Sequence, residues 1–197
     1  MYNIRMKQTK VAQTWWMMLY FMGLFVIPCL SIFIATRSSL LYENFTYVGN
    51  QTRYRPIFII WGLLLSLHML VTFFTLLYIT KNHKRMYWYL VSLLGLLHAT
   101  SYVLPYDKSK SLLTSELHVY ISISTFVAYI FLLLFYLYKL NHFYLFISSV
   151  KAMISLLVAM FFALLLTGDI SSLVELINTN FMAIYMIILL KRTKPYF

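Results

Sequence analysis

The sequence is short of almost everything a soluble enzyme is built around. It has one cysteine, Cys29, in 197 residues, so neither an internal disulfide nor a thiolate metal cluster can form. Cys29 follows Pro28 inside an apolar run and reads as a small packing residue. The five glycines are scattered and make no phosphate-binding loop. No serine stands in a Gly-x-Ser-x-Gly elbow, and no His-Glu-x-x-His pair offers zinc spacing. Charge is the scarcest commodity: Asp and Glu together number 5, and charged residues of both signs make up 11%. Soluble domains carry about 25%.

What is present is apolar. Hydrophobic residues are 62% of the chain and the mean hydropathy is +0.79. A soluble domain of this length could not hide that much apolar surface, whereas a bilayer absorbs it. Six runs are long enough to cross about 30 Å of hydrocarbon, near 14–35, 57–80, 86–104, 118–138, 143–167 and 173–190. The first follows Arg5, Lys7 and Lys10 but is longer than a secretory core and lacks a small-x-small cleavage pattern, so it reads as a retained span. Helices satisfy their own backbone in lipid, so the expectation is an all-α bundle in a single domain. The longer connectors are 36–56 and 105–117.

The net charge of +11 raises nucleic acid as a partner, but the basic residues fall in short clusters between apolar runs, which is the pattern of topology signals. Arg5, Lys7, Lys10, Lys81, Lys84, Arg85, Lys139, Lys191, Arg192 and Lys194 fall on one side of a six-span layout; Arg37, Arg53, Arg55, Lys108 and Lys110 fall on the other. The richer side is expected to be cytoplasmic and to hold both termini, in a multi-pass protein of the plasma membrane. All five acidic residues, Glu43, Asp107, Glu116, Asp169 and Glu175, lie at or near the opposite face. Asn44-Phe45-Thr46 and Asn50-Gln51-Thr52 are glycosylation sequons on that outer side.

Polar groups inside the spans carry the most information, because each costs free energy unless paired or wetted. His68, Thr72 and Thr75 share one face of the second span, expected to point inward either as a structural imidazole bonded to a neighbouring helix or as a relay or ligand contact. Lys151 lies about 12 Å from the cytoplasmic end of the fifth span. With Ser148, Ser155, Asn178 and Asn180 it suggests an internal polar cavity, against the alternative of a snorkelling lysine. On the outer side, His98, Asp107, Glu116, His118, Asp169 and Glu175 form the densest titratable set, able in principle to hold a metal ion and a water. No cofactor is assigned. Small residues at Gly95/Ala99, Ser124/Ala128 and Ser155/Ala159/Ala163 mark faces for helix packing.

The order of features from Arg37 to Lys139 also supports a family resemblance. An outer loop leads to Pro56-Ile57-Phe58-Ile59-Ile60-Trp61-Gly62, then comes the basic turn Lys81–Arg85. A third span ends in His98 and Leu104-Pro105-Tyr106-Asp107, and Glu116-Leu117-His118 opens the fourth. This resembles the six-span bacterial proteins of unknown function related to the DRAM/FRAG-type membrane family, over half to two-thirds of the chain. The resemblance implies a lipid-facing role centred on an outer-half pocket near His98, Asp107 and His118. A second, to the ceramidase-like intramembrane metal hydrolases, implies a catalytic metal; that family expects a histidine pair in a late span, and nothing after His142 is histidine. Three readings follow: a lipid-associated or accessory membrane protein, a small transporter using Lys151 and His68, or an intramembrane hydrolase. The expected partners are membrane lipids, with a membrane-protein partner or homo-oligomer open and nucleic acid set aside.

Overall fold

A computed structural model describes residues 14–105 and 111–194. Among these all the regular structure is helical, with no strand. Thr14–Ala35 forms α1, Phe45–Asn50 a short α2, Arg55–Ile79 α3, Arg85–Val103 α4, Leu112–Lys139 α5, Phe143–Thr167 α6 and Ser172–Thr193 α7. Five of them (α1, α3, α5, α6 and α7) are long and apolar enough to cross a membrane, which points to a membrane-embedded helical bundle. The expected third span, α4, is 19 residues long and less apolar, because Tyr87, Trp88, Tyr89, His98, Thr100, Ser101 and Tyr102 interrupt its leucines.

Helix ends follow local chemistry. Pro56 lies in the first turn of α3, where its missing N–H costs nothing. Gly168, at φ 75°, ends α6 with its N–H on Leu164 O at 2.8 Å. Ser111 caps α5, its hydroxyl accepting Thr114 N–H at 3.3 Å. That cap starts α5 six residues before the expected 118, so Glu116 and His118 stand inside a helix rather than at its opening. Two other features were not foreseen. Residues Met22–Val26 of α1 form a π turn, and α2 forms within the outer connector, capped by Asn44 Oδ1 accepting Tyr47 N–H at 3.0 Å.

Neighbouring helices close a ring in which α3 packs on α4, α4 on α5, α5 on α6, α6 on α7, and α7 on α3, with α1 outside against α3 and α7. The core is densest between α1, α3 and α7, around Ile27, Ile34, Phe73, Leu76, Ala183, Met186 and Leu190. There Gly23, on the π turn, meets the His68 ring and Ile187 so closely that an added Cβ would lie 2.8 and 2.7 Å from them. Helix α6 is the least enclosed of the five. It turns Leu145, Ser149, Met153, Leu156 and Ala163 inward, so the stripe expected to pack is split: Ala163 is buried but Ser155 and Ala159 are exposed. Cys29 is likewise exposed on α1 rather than packed.

Candidate functional site

The half of the ring beside α2, the end expected from the charge pattern to be outer, holds a cavity of about 120 Å³. Each wall comes from one helical face. On α3 the lining residues Phe58, Trp61, Leu65 and Met69 recur at helical spacing; α4 adds His98 and Tyr102; α5 adds His118, Ser122, Phe126 and Tyr129; α7 adds Glu175, Asn178, Thr179 and Met182. Phe45 and Thr46 of α2 complete it. Thr46, His118, Ser122 and Glu175 also line a wider vestibule of about 440 Å³ between α5, α2 and the α6–α7 turn, with Asn44, Glu116, Tyr120, Ile123, Asp169 and Ile170. The vestibule and the cavity therefore share a neck.

The aromatic walls are mutually braced. Trp61 makes edge contacts with Phe45 at 5.2 Å and Tyr102 at 5.3 Å between ring centres, and Phe58 meets Tyr102 at 5.8 Å. Trp61 Nε1–H donates to Ser31 Oγ at 2.9 Å, and Ser31 passes its own proton to Ile27 O at 2.9 Å, which ties the wall to α1. Gly62 is required because the Tyr102 ring lies directly over it: an added Cβ would lie 2.1 Å from the ring.

Both cavity histidines have assigned partners. Ser66 Oγ–H donates to Gly62 O at 2.8 Å, leaving its oxygen to accept His98 Nδ1–H at 3.0 Å. His98 Nε2 then accepts the Tyr102 hydroxyl at 3.1 Å. His118 Nδ1 lies 2.7 Å from Ser101 O, and a carbonyl can only accept, so that nitrogen carries a proton. In the neutral ring Nε2 is therefore the acceptor, and Thr46 Oγ1 lies 3.3 Å from it. Glu175 accepts the backbone N–H of Phe45. In return the outer connector caps α7: Ser172 N–H donates to Glu43 O at 2.6 Å and Leu173 N–H to Leu40 O at 3.0 Å, while the Ser38 and Ser172 hydroxyls meet at 2.6 Å. This exchange holds α2 over the cavity. Among the described residues that line the cavity, two carry buried side-chain atoms without partners: the Tyr129 hydroxyl, on a residue 3% exposed, and Asn178 Oδ1.

Of the outer residues singled out in the sequence, His98, His118 and Glu175 come together on the cavity, and Glu116 and Asp169 on its vestibule. Asp107 lies outside the described residues. The inner set divides. Asn178 joins the outer cavity, but Asn180, two residues on, is turned off that face of α7 and does not line it. Lys151 is exposed on the outward side of α6 and lines neither the cavity nor the vestibule; the inward face of α6 is the one through Ser149 and Met153. His68 is buried among α1, α3 and α7, its Nε2 donating to Ala183 O at 3.2 Å, and does not line the outer cavity. Among the described residues no three His, Cys, Asp or Glu side chains converge to hold a metal ion, so the ligand set that a metal hydrolase requires is not assembled there.

Sequence reasoning missed Thr46, Tyr102, Ser122 and Tyr129. The α5 positions were legible in principle, because His118, Ser122, Phe126 and Tyr129 fall at i, i+4, i+8 and i+11. Thr46 was not, since only the tertiary clasp brings α2 over the ring. Comparison with family models, with curated proteins and with solved structures finds no match for this chain.

Proposed function

We propose that the chain is a six-span integral protein of the cell membrane, with both termini cytoplasmic, that accepts a lipid from the outer half of the bilayer through the opening between α5 and α7. The observation that carries this reading is the continuity of an aromatic-walled inner cavity with a vestibule whose rim is exposed and partly apolar: Tyr120 is 65% exposed, Ile123 48% and Ile170 44%. Such a rim beside a polar neck suits an amphiphile entering sideways, with its chains in hydrocarbon and its headgroup among Thr46, His118, Ser122 and Glu175. The sequence resemblance to a lipid-linked family points the same way. Transport by way of His68 and Lys151 has less support, since Lys151 is exposed on α6 and His68 is buried among α1, α3 and α7. Crossing by α4 is supported by its position between α3 and α5 and by its length, about 28 Å at 1.5 Å per residue. The excess of Lys and Arg at the 81–85 and 139–142 turns and at both termini supports the orientation.

The test is a map of photo-crosslinks from phospholipids bearing a diazirine on an acyl chain, with the full-length protein in nanodiscs. Labels are expected to concentrate on the α5 peptide around Tyr120 and Ile123 and on the α6–α7 turn at Ile170, above the level on the outward face of α6 at Phe161 and Leu165. Labelling that is uniform around the bundle overturns the reading. In the same preparation, cysteines placed at His83 and Leu112 (on a Cys29→Ala background) are expected to react from opposite sides of the membrane.

A further inference from the structure

We propose that the outer cavity is a site for an organic ammonium group, presented by a lipid headgroup. This deepens the reading above and rests on it for the source of the ligand, though not for its chemistry.

Charge comes first. The chain as a whole carries +11, yet among the described residues no Lys or Arg lines either the cavity or the vestibule, and the ionisable acids among them are Glu175, Glu116 and Asp169. An anionic group, such as the phosphate of an acidic lipid, would meet three carboxyl groups and, among these lining residues, no guanidinium or ammonium donor. A cation meets the reverse. The two histidines do not alter this balance, because both nitrogens of each are engaged within the protein: His98 with Ser66 and Tyr102, His118 with Ser101 O and Thr46.

The walls supply the second argument. Trp61 and Tyr102 stand in edge contact and line the same cavity, and aromatic rings around a small space attract a cation through their quadrupoles, most strongly where water is excluded. The third is an unmet demand. Tyr129 is 3% exposed and its hydroxyl has no partner, and Asn178 Oδ1 beside the same cavity has none. Buried oxygens in this state are costly unless something fills the space between them, and both can turn lone pairs toward a positive group. Size agrees as well. The cavity, at about 120 Å³, is several times the roughly 10–15 Å³ that admits one water, which leaves room for an alkylammonium head.

The experiment has two arms on the full-length protein. In the first, binding of isotopically labelled choline is measured on detergent-purified protein, with tetramethylammonium as competitor. In the second, diazirine-bearing phosphatidylcholine, phosphatidylethanolamine and phosphatidylglycerol are compared for labelling of α5 and α7. The expected result is choline binding displaced by tetramethylammonium, and labelling by the two ammonium lipids about tenfold above phosphatidylglycerol. Glu175→Gln is expected to weaken choline about tenfold. Should that variant fail to fold, Tyr129→Phe removes only the unpaired hydroxyl, and Glu116→Gln with Asp169→Asn changes only exposed side chains; each must lower choline affinity severalfold. Labelling at the opening without headgroup preference, together with no choline binding, overturns the ammonium site and leaves the lipid reading standing. Choline binding without labelling at the opening upholds the ammonium site and overturns lipid as its source.

Discussion

Gly62→Ala is the substitution whose outcome the structure decides against local propensity. Within a helix, replacing glycine by alanine gains about 1 kcal/mol from backbone entropy. Gly62, however, lies under Tyr102: the new Cβ would be 2.1 Å from Cγ and 2.5 Å from both Cδ atoms of that ring. Cγ is the root of the ring, with no flexible end to swing aside, so Tyr102 or the whole of α4 must retreat by more than an ångström. Overpacking of this kind costs about 1–3 kcal/mol. Retreat also breaks the Tyr102 hydroxyl bond to His98, worth roughly 1 kcal/mol. The net expectation is a loss of about 1–3 kcal/mol after the propensity gain. Gly95 provides the control. There the closest atom is Leu70 Cδ1 at 2.9 Å, the end of a flexible side chain, and the next are at an ordinary 3.5 Å, so Gly95→Ala is expected to be neutral or mildly stabilising. Both are read by denaturant titration in micelles. A cycle adding Tyr102→Leu isolates the contact, since Gly62→Ala should cost far less in that background. Equal effects of the two alanines, or strict additivity with Tyr102→Leu, would refute the close approach of α3 and α4.

Two further outcomes concern α6. Leu156→Ala, at a fully buried position, is expected to cost about 2–5 kcal/mol, while Leu157→Ala, at a residue 51% exposed, is expected to change stability little; the same titration compares them, and a reversal would mean that the helix is rotated. Lys151→Met is expected to leave stability unchanged or raise it, because the exposed ammonium has its reach to the interface replaced by an apolar chain suited to lipid; a large loss would restore an inward, partnered lysine.

Much of the site was legible, though for different reasons on different elements. Glu175, Asn178 and Thr179 share a face by simple helical arithmetic, and so do His98 and Tyr102. Lys151 misled because a lone cation deep in an apolar run reads as functional whichever way the helix faces. When every face is apolar, periodicity carries no signal for rotation. Glu116 was expected in a loop because the apolar run starts after it, whereas the Ser111 cap draws the helix back to Leu112.

Composition alone determined that the chain is a bundle of long apolar helices, because so few charges cannot cover a water-facing surface and lipid demands that each segment satisfy its own backbone. Only tertiary structure decided which polar residues meet. His118 comes to Thr46 across 72 residues, and Glu175 to the Phe45 amide across 130, through contacts set by how the ring closes and how the outer connector folds over α7. Neither rotation nor closure leaves a mark in the local pattern of a segment that is hydrophobic on all sides.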